Sequence, residues 1–185
     1  MSLTIDQMAC VKDDDSGGRN LLLGNLMRIL RPGPTLPSVR WINRDLAIGC
    51  PAEDAGWQAM RARGVRGVVD LSDASGDLGP LVRRHGMRYL RLPVEDGRLP
   101  HAEELHIVTS WLWQRVYEDG PVLVHEAEGR GNHALVACAA LIKRGASVRR
   151  AGQQLKHASR APLTDVQLDL LERFAVEMTV ASGRD

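Results

Sequence analysis

Pro121-Val-Leu-Val-His125-Glu126-Ala127-Glu128-Gly129-Arg130-Gly131-Asn132-His133 carries the strongest structural signal in the chain. An apolar run of strand length ends at His125, a short loop bearing two glycines follows, and from Ala134 to Ile142 the chain is apolar on every side. Strand, tight loop and buried helix in that order wind successive backbone N–H groups inward at a helix N-terminus, where the helix dipole adds roughly half a positive charge. Residues 125–132 are therefore shaped to hold an anion. The side chains do not match that shape: an acid, Glu126, follows His125, and Asn132 rather than a cation stands just before the helix core.

The segment resembles the signature of the dual-specificity and tyrosine phosphatases, in which His-Cys is followed by five residues, an Arg and a Ser or Thr. On that resemblance His125 matches the His and Gly129 and Gly131 match loop glycines. Glu126 falls at the nucleophilic Cys, Asn132 at the phosphate-binding Arg, and His133 at the Ser or Thr. Chemistry of that type needs a thiolate nucleophile and a bidentate guanidinium clamp. A carboxylate repels bound phosphate, and an Asn offers only neutral donors. The resemblance covers approximately Arg40 to Phe174. Leu46-Ala-Ile-Gly49-Cys50 looks like the family's first strand, Gly64 to Leu71 like its second core strand, and Tyr89 to Asp96 like the strand entering its general-acid loop, with Asp96 where that acid is expected. Arg160-Ala-Pro162-Leu-Thr-Asp165 is similar to the entry of its C-terminal helix.

Outward from the loop the pattern is α/β. Val39–Ile42 and Leu46–Ile48, joined by Asn43-Arg44-Asp45, read as a hairpin, and Ala52–Arg63 as a helix stopped by Gly64. Val68–Leu71 reads as a strand buried on both faces, followed by a polar loop holding Gly76, Gly79 and Pro80. Met87–Leu92 reads as a further strand and His101–Tyr117 as a helix with Leu105, Val108, Leu112 and Val116 at helical spacing. Helices over Val148–His157 and Val166–Val176 complete the set. The expected fold is a three-layer α/β/α arrangement around a mostly parallel sheet, as the resemblance also implies. Residues 39–178 form the domain, 1–38 an N-terminal extension with a short apolar patch from Leu21 to Leu30 and prolines at 32, 34 and 37, and 179–185 a tail.

Composition narrows the function classes. With 24 basic and 23 acidic side chains the net charge is +1, so no long-range field recruits nucleic acid or an anionic membrane. No apolar run approaches the about 18–20 residues of a membrane span. Cys10, Cys50 and Cys138 show neither zinc nor disulfide-framework spacing, and a reducing cytoplasm is the expected compartment.

The chemistry-bearing residues each carry two readings. His125 matches a residue that orders the loop in the resembled family, a structural role. Glu126 is either a nucleophile or base, or an internal anion that accepts the loop N–H groups in place of phosphate; the second is favoured, because such a carboxylate is stabilised and strongly ionised. Asp96 is a general acid only where a leaving group exists, and otherwise a loop carboxylate capping the next helix. Arg130 either draws an anionic ligand or is a solvated surface side chain. His125, Glu126, Glu128 and His133 hold metal-ligating atoms at a spacing that fits no ligand pattern, so neither metal nor cofactor is expected. Cys138 lies in the apolar helix and reads as core. Two functional classes follow: a non-catalytic phosphatase-like module that binds a protein partner or a phosphorylated or anionic ligand, or a hydrolase using the same pocket with Glu126 or Asp96 as acid or base.

Overall fold

The computed structural model describes residues 38–182 apart from 52, 74–75, 96–97, 128–130 and 160–161. Most of the N-terminal extension, with its Leu21–Leu30 patch, lies outside the described residues, as does Asp96. Among the described residues five strands form one sheet: β1 (Val39–Trp41), β2 (Leu46–Gly49), β3 (Gly67–Asp70), β4 (Arg88–Arg91) and β5 (Val122–His125), in the order β1-β2-β5-β3-β4. Only β1 runs antiparallel, pairing with β2 across the expected hairpin. Asn43 closes that hairpin by accepting the N–H groups of Asp45 and Leu46 on its side-chain oxygen. The remaining pairs are parallel, with Val69 level with Val124 and Asp70 level with His125.

Strand alternation sorts the core into two clusters. Leu46, Ile48, Val69, Val122 and Val124 point to one face, where they meet α3 (Ala102–Glu118) and α4 (Asn132–Lys143), with α5 (Val148–Leu155) and α6 (Asp165–Ser182) packed behind α4. Ala47, Val68 and Leu123 point to the other face, against Trp57 and Met60 of α1 (Glu53–Ala62) and Val82 of α2 (Gly79–Arg84). Helices on both faces explain why β3 and β5 are buried at every position. The three-layer α/β/α expectation holds.

Two local expectations change. The stretch read as a polar loop around Gly79 and Pro80 is the helix α2: proline is tolerated in a first helical turn, where its missing N–H costs no intrahelical bond, and burial of Val82 holds the short segment down. The last helix extends beyond Val176 to Ser182, into the stretch assigned to the tail. Its start is fixed by a reciprocal cap, the Gln167 N–H donating to Thr164 Oγ1 at 3.3 Å and the Thr164 N–H to Gln167 Oε1 at 3.0 Å.

One glycine has no substitute for steric reasons. Gly49 has φ +133°, and a Cβ there would lie 1.9 Å from the Ser38 carbonyl oxygen, so the turn out of β2 closes only without a side chain.

Candidate functional site

The site forms at the carboxyl end of β5, the middle strand of the sheet, the usual position for ligand chemistry in open α/β folds. His125 is the last residue of the strand, and its alternation turns the imidazole toward α1, where its ring centroid lies 5.4 Å from that of Trp57. Asp70 ends the neighbouring β3 at the same level. The Asp70 carboxylate is fully buried and contacts His125 Nδ1 at 3.0 Å, accepts from the Tyr89 hydroxyl at 2.7 Å and from the Ser72 N–H at 3.0 Å. Burial alone would raise its pKa, but these donors outweigh that effect and hold it at about 2. An ionised Asp70 accepts only, so the His125 proton sits on Nδ1. Ser72 extends the network: its hydroxyl lies 3.3 Å from the same nitrogen and accepts the Ala127 N–H at 3.0 Å, tying the first turn of the loop to β3. Tyr89, desolvated and hydrogen-bonded to that anion, is held well above the usual phenol range.

Glu126 turns the other way. Its side chain is buried, the whole residue being 3 % exposed, and the carboxylate reaches back across the loop to the start of α4. Oε2 accepts the Gly131 N–H at 3.0 Å and Oε1 the Asn132 N–H at 3.2 Å, while His133 Nδ1 lies 2.6 Å from Oε2. Burial again works against the charge, yet the His133 imidazole and the N–H groups at the helix start prevail and lower the carboxyl pKa. With the carboxylate ionised, His133 Nδ1 is the donor. Gly131 makes this approach possible, since its φ of +89° lies in the left-handed region that side chains avoid. The structure thus places a side-chain anion on the N–H groups of a helix N-terminus.

Of the residues singled out from sequence, His125, Glu126, Ala127, Gly131, Asn132 and His133 converge here; Glu128, Gly129, Arg130 and Asp96 lie outside the described residues. Asn132 is buried, and its Oδ1 has no hydrogen-bond partner among them. Glu104 caps the start of α3: it accepts the His101 N–H at 2.7 Å and clamps Arg98 through two hydrogen bonds of 3.0 and 3.2 Å. Cys138 lies inside α4, where burial pushes its thiol up to about 12, far from a reactive thiolate. Asp70, Ser72 and Tyr89 were missed by sequence reading. The one available signal was an acid closing the apolar run Val68-Val69-Asp70, since a carboxylate inside a buried strand requires paired donors.

Comparison with known proteins decides the lineage. The family model for the polymorphic toxin system DSP-PTPase phosphatase matches residues 47–146, from β2 through α4 to the turn beyond it. The chain belongs to this DSP-PTPase family. No curated protein matches it. Among solved structures it is similar to Tk-PTP in the active form, with 26% identity and a TM-score of 0.66 over 76% of this chain and 97% of that one. It is also similar to PTPMT1, with 21% identity and a TM-score of 0.72 over 80% and 99%. Human DUSP28 matches with 24% identity and a TM-score of 0.64 over 77% and 99%. The latter two likenesses concern the fold. The DSP-PTPase fold is accordingly the frame in which the β5–α4 loop is placed.

Proposed function

We propose that this DSP-PTPase domain has exchanged cysteine-based phosphoryl transfer for a non-catalytic binding or regulatory role. The observation that carries the reading is the Glu126 carboxylate on the N–H groups of Gly131 and Asn132, the donors a bound phosphate would use. At the position resembling the family nucleophile stands a carboxylate whose pKa is lowered, hence anionic at neutral pH. At about 4 Å, two unit charges in a partly screened protein site repel by about 4 kcal/mol. A phosphate entering the loop meets that repulsion while Asn132 offers it no guanidinium. The tethered carboxylate, in contrast, loses no association entropy. The Gly131 and Asn132 N–H groups are then satisfied from within the chain, and the domain serves by presenting its surface to a protein or anionic ligand. The family's toxin-system description supports a role in such a system.

A second reading has one observation in its favour. His133 is partly exposed, with 17 % of its side chain accessible, and Glu126 orients its imidazole, leaving Nε2 as the ring's basic nitrogen. A histidine oriented by a carboxylate is the arrangement of a general base, and a hydrolase of neutral esters would use His133 to activate water. Steady-state assays separate the readings. The binding-module account predicts no turnover of aryl phosphates or of neutral aryl esters; ester hydrolysis that vanishes in His133→Ala would establish the hydrolase instead.

A further inference from the structure

The opposite end of the sheet carries a second site. Beside the edge strand β4 lies a cavity of about 780 Å³, open to solvent, whose walls come from α1, α2, α3 and the starts of β3 and β4. Arg88, which lines it, pairs with Gly67 at the start of β3. The loop network begins three residues further along β3, at Asp70, about 10 Å away at the rise of a strand.

Five guanidiniums line this cavity, those of Arg61, Arg66, Arg83, Arg88 and Arg115, against two carboxylates, Glu118 and Asp119. Both carboxylates bond to Arg115, Asp119 at 2.8 Å. The other four arginines form no ion pair among the described residues. Arg66 Nη1 donates to the carbonyls of Arg61 and Val65, Arg83 lies 5.4 Å from the Tyr89 ring centroid, and Arg61 Nη1 is buried without any hydrogen-bond partner. A buried guanidinium nitrogen left without an acceptor costs free energy. In a chain whose net charge is only +1, this is a strong local concentration of cation.

The walls are not uniformly charged. Trp111 projects over the start of β3, its ring 3.4 Å from where a Gly67 Cβ would sit, and Met87 and Tyr89 add apolar surface. Unpaired guanidiniums recognise phosphate oxygens bidentately, and an indole face accepts a planar base. The cavity volume falls within the range of small-ligand sites, about 300–1,000 Å³.

We propose that this arginine-lined cavity binds a nucleoside polyphosphate, the phosphates on Arg61, Arg83 and Arg88 and the base against Trp111. Arg61 Nη1 then gains the acceptor it lacks. The site is separate from the β5–α4 loop and does not require that loop to be active or inactive.

Calorimetric titration of the full chain with ATP, inorganic tripolyphosphate and adenosine tests the assignment. ATP is expected to bind saturably, tripolyphosphate at least tenfold more weakly, and adenosine not measurably. The double variant Arg61→Ala, Arg88→Ala should weaken ATP at least tenfold, with its far-ultraviolet circular dichroism and melting temperature confirming the fold, whereas Arg149→Ala, an exposed arginine of α5 outside the cavity lining, should bind ATP as the parent does. Absence of ATP binding, ATP binding unchanged in the arginine double variant, or ATP binding weakened as much by Arg149→Ala would each overturn the proposal. Tripolyphosphate binding as tightly as ATP would overturn the nucleoside assignment, and an acidic peptide that binds here where ATP does not would reassign the face to a protein.

Discussion

Glu126 and His133 face each other across the β5–α4 loop with carboxylate and imidazole 2.6 Å apart, so the first residue after the strand is hydrogen-bonded to the second residue of the helix. Together with the N–H groups of Gly131 and Asn132 this closes the loop on a side chain of its own. Three donors converge on one buried carboxylate.

Neutralising that carboxylate should therefore weaken the fold without abolishing it. Glu126→Gln retains the shape but presents an NH2 group to at least one of the three donors, and the expected loss is about 1–3 kcal/mol by chemical denaturation. Loss of less than a few tenths would mean that the converging donors are satisfied by solvent.

Acid should destabilise the domain in a defined window. Asp70 has a folded pKa of about 2 against an ordinary value of 3.8, so its stabilising contribution is fully present above about pH 4 and is lost as pH falls toward 2. The shift corresponds to about 2 kcal/mol. Glu126, also lowered, acts in the same direction, its contribution present above its ordinary carboxylate range and fading as the pH drops through its depressed folded value. Denaturant midpoints measured from pH 5 to 2 should fall steadily, and the fall should be smaller in Asp70→Asn measured relative to its own value at pH 5.

Tyr89→Phe removes one of the donors to Asp70. The Asp70 pKa should rise, read by carboxyl-carbon NMR, and stability at neutral pH should drop by about 1.5–3 kcal/mol, the range for a hydrogen bond to a charged group. An unchanged Asp70 pKa would show that the phenol is not its partner in solution.

Restoring the chemistry requires more than one exchange. Glu126→Cys with Asn132→Arg should allow phosphate to transfer from an aryl phosphate to the new thiol, detected by intact-protein mass. His133→Ser is expected to be needed for release and turnover, because a hydroxyl beside the Arg would assist departure from the thiolate. If neither the double nor the triple variant becomes phosphorylated, the loop geometry has departed from that of active family members.

The legibility of the fold followed the strength of its periodicity. The runs Val122-Leu-Val and Val68-Val are apolar because both faces of those strands are covered, and Ala134–Ile142 because α4 is enclosed by α3, α5 and α6, so sequence alone placed all three. The helix α2 was hidden because six residues carry too little pattern to outweigh Gly79 and Pro80. At the site, the local half could be read: Glu126, Gly131 and Asn132 lie within one loop, and hydrogen-bonding reach follows from their spacing. Asp70, Ser72 and Tyr89 could not, because they meet His125 only through the order β5-β3-β4, and strand order is not a property of any short stretch. The arginine cavity was illegible for the same reason, its side chains being drawn from positions 61 to 115.

Whether Glu126 is the resident anion of the β5–α4 loop is settled by crystal structures of the parent chain and of Glu126→Ala, both grown in tens of millimolar phosphate. In the parent the Glu126 carboxylate is expected on the Gly131 and Asn132 N–H groups, and in the variant a phosphate on those same groups. A phosphate bound in the parent loop with Glu126 turned to solvent would contradict it.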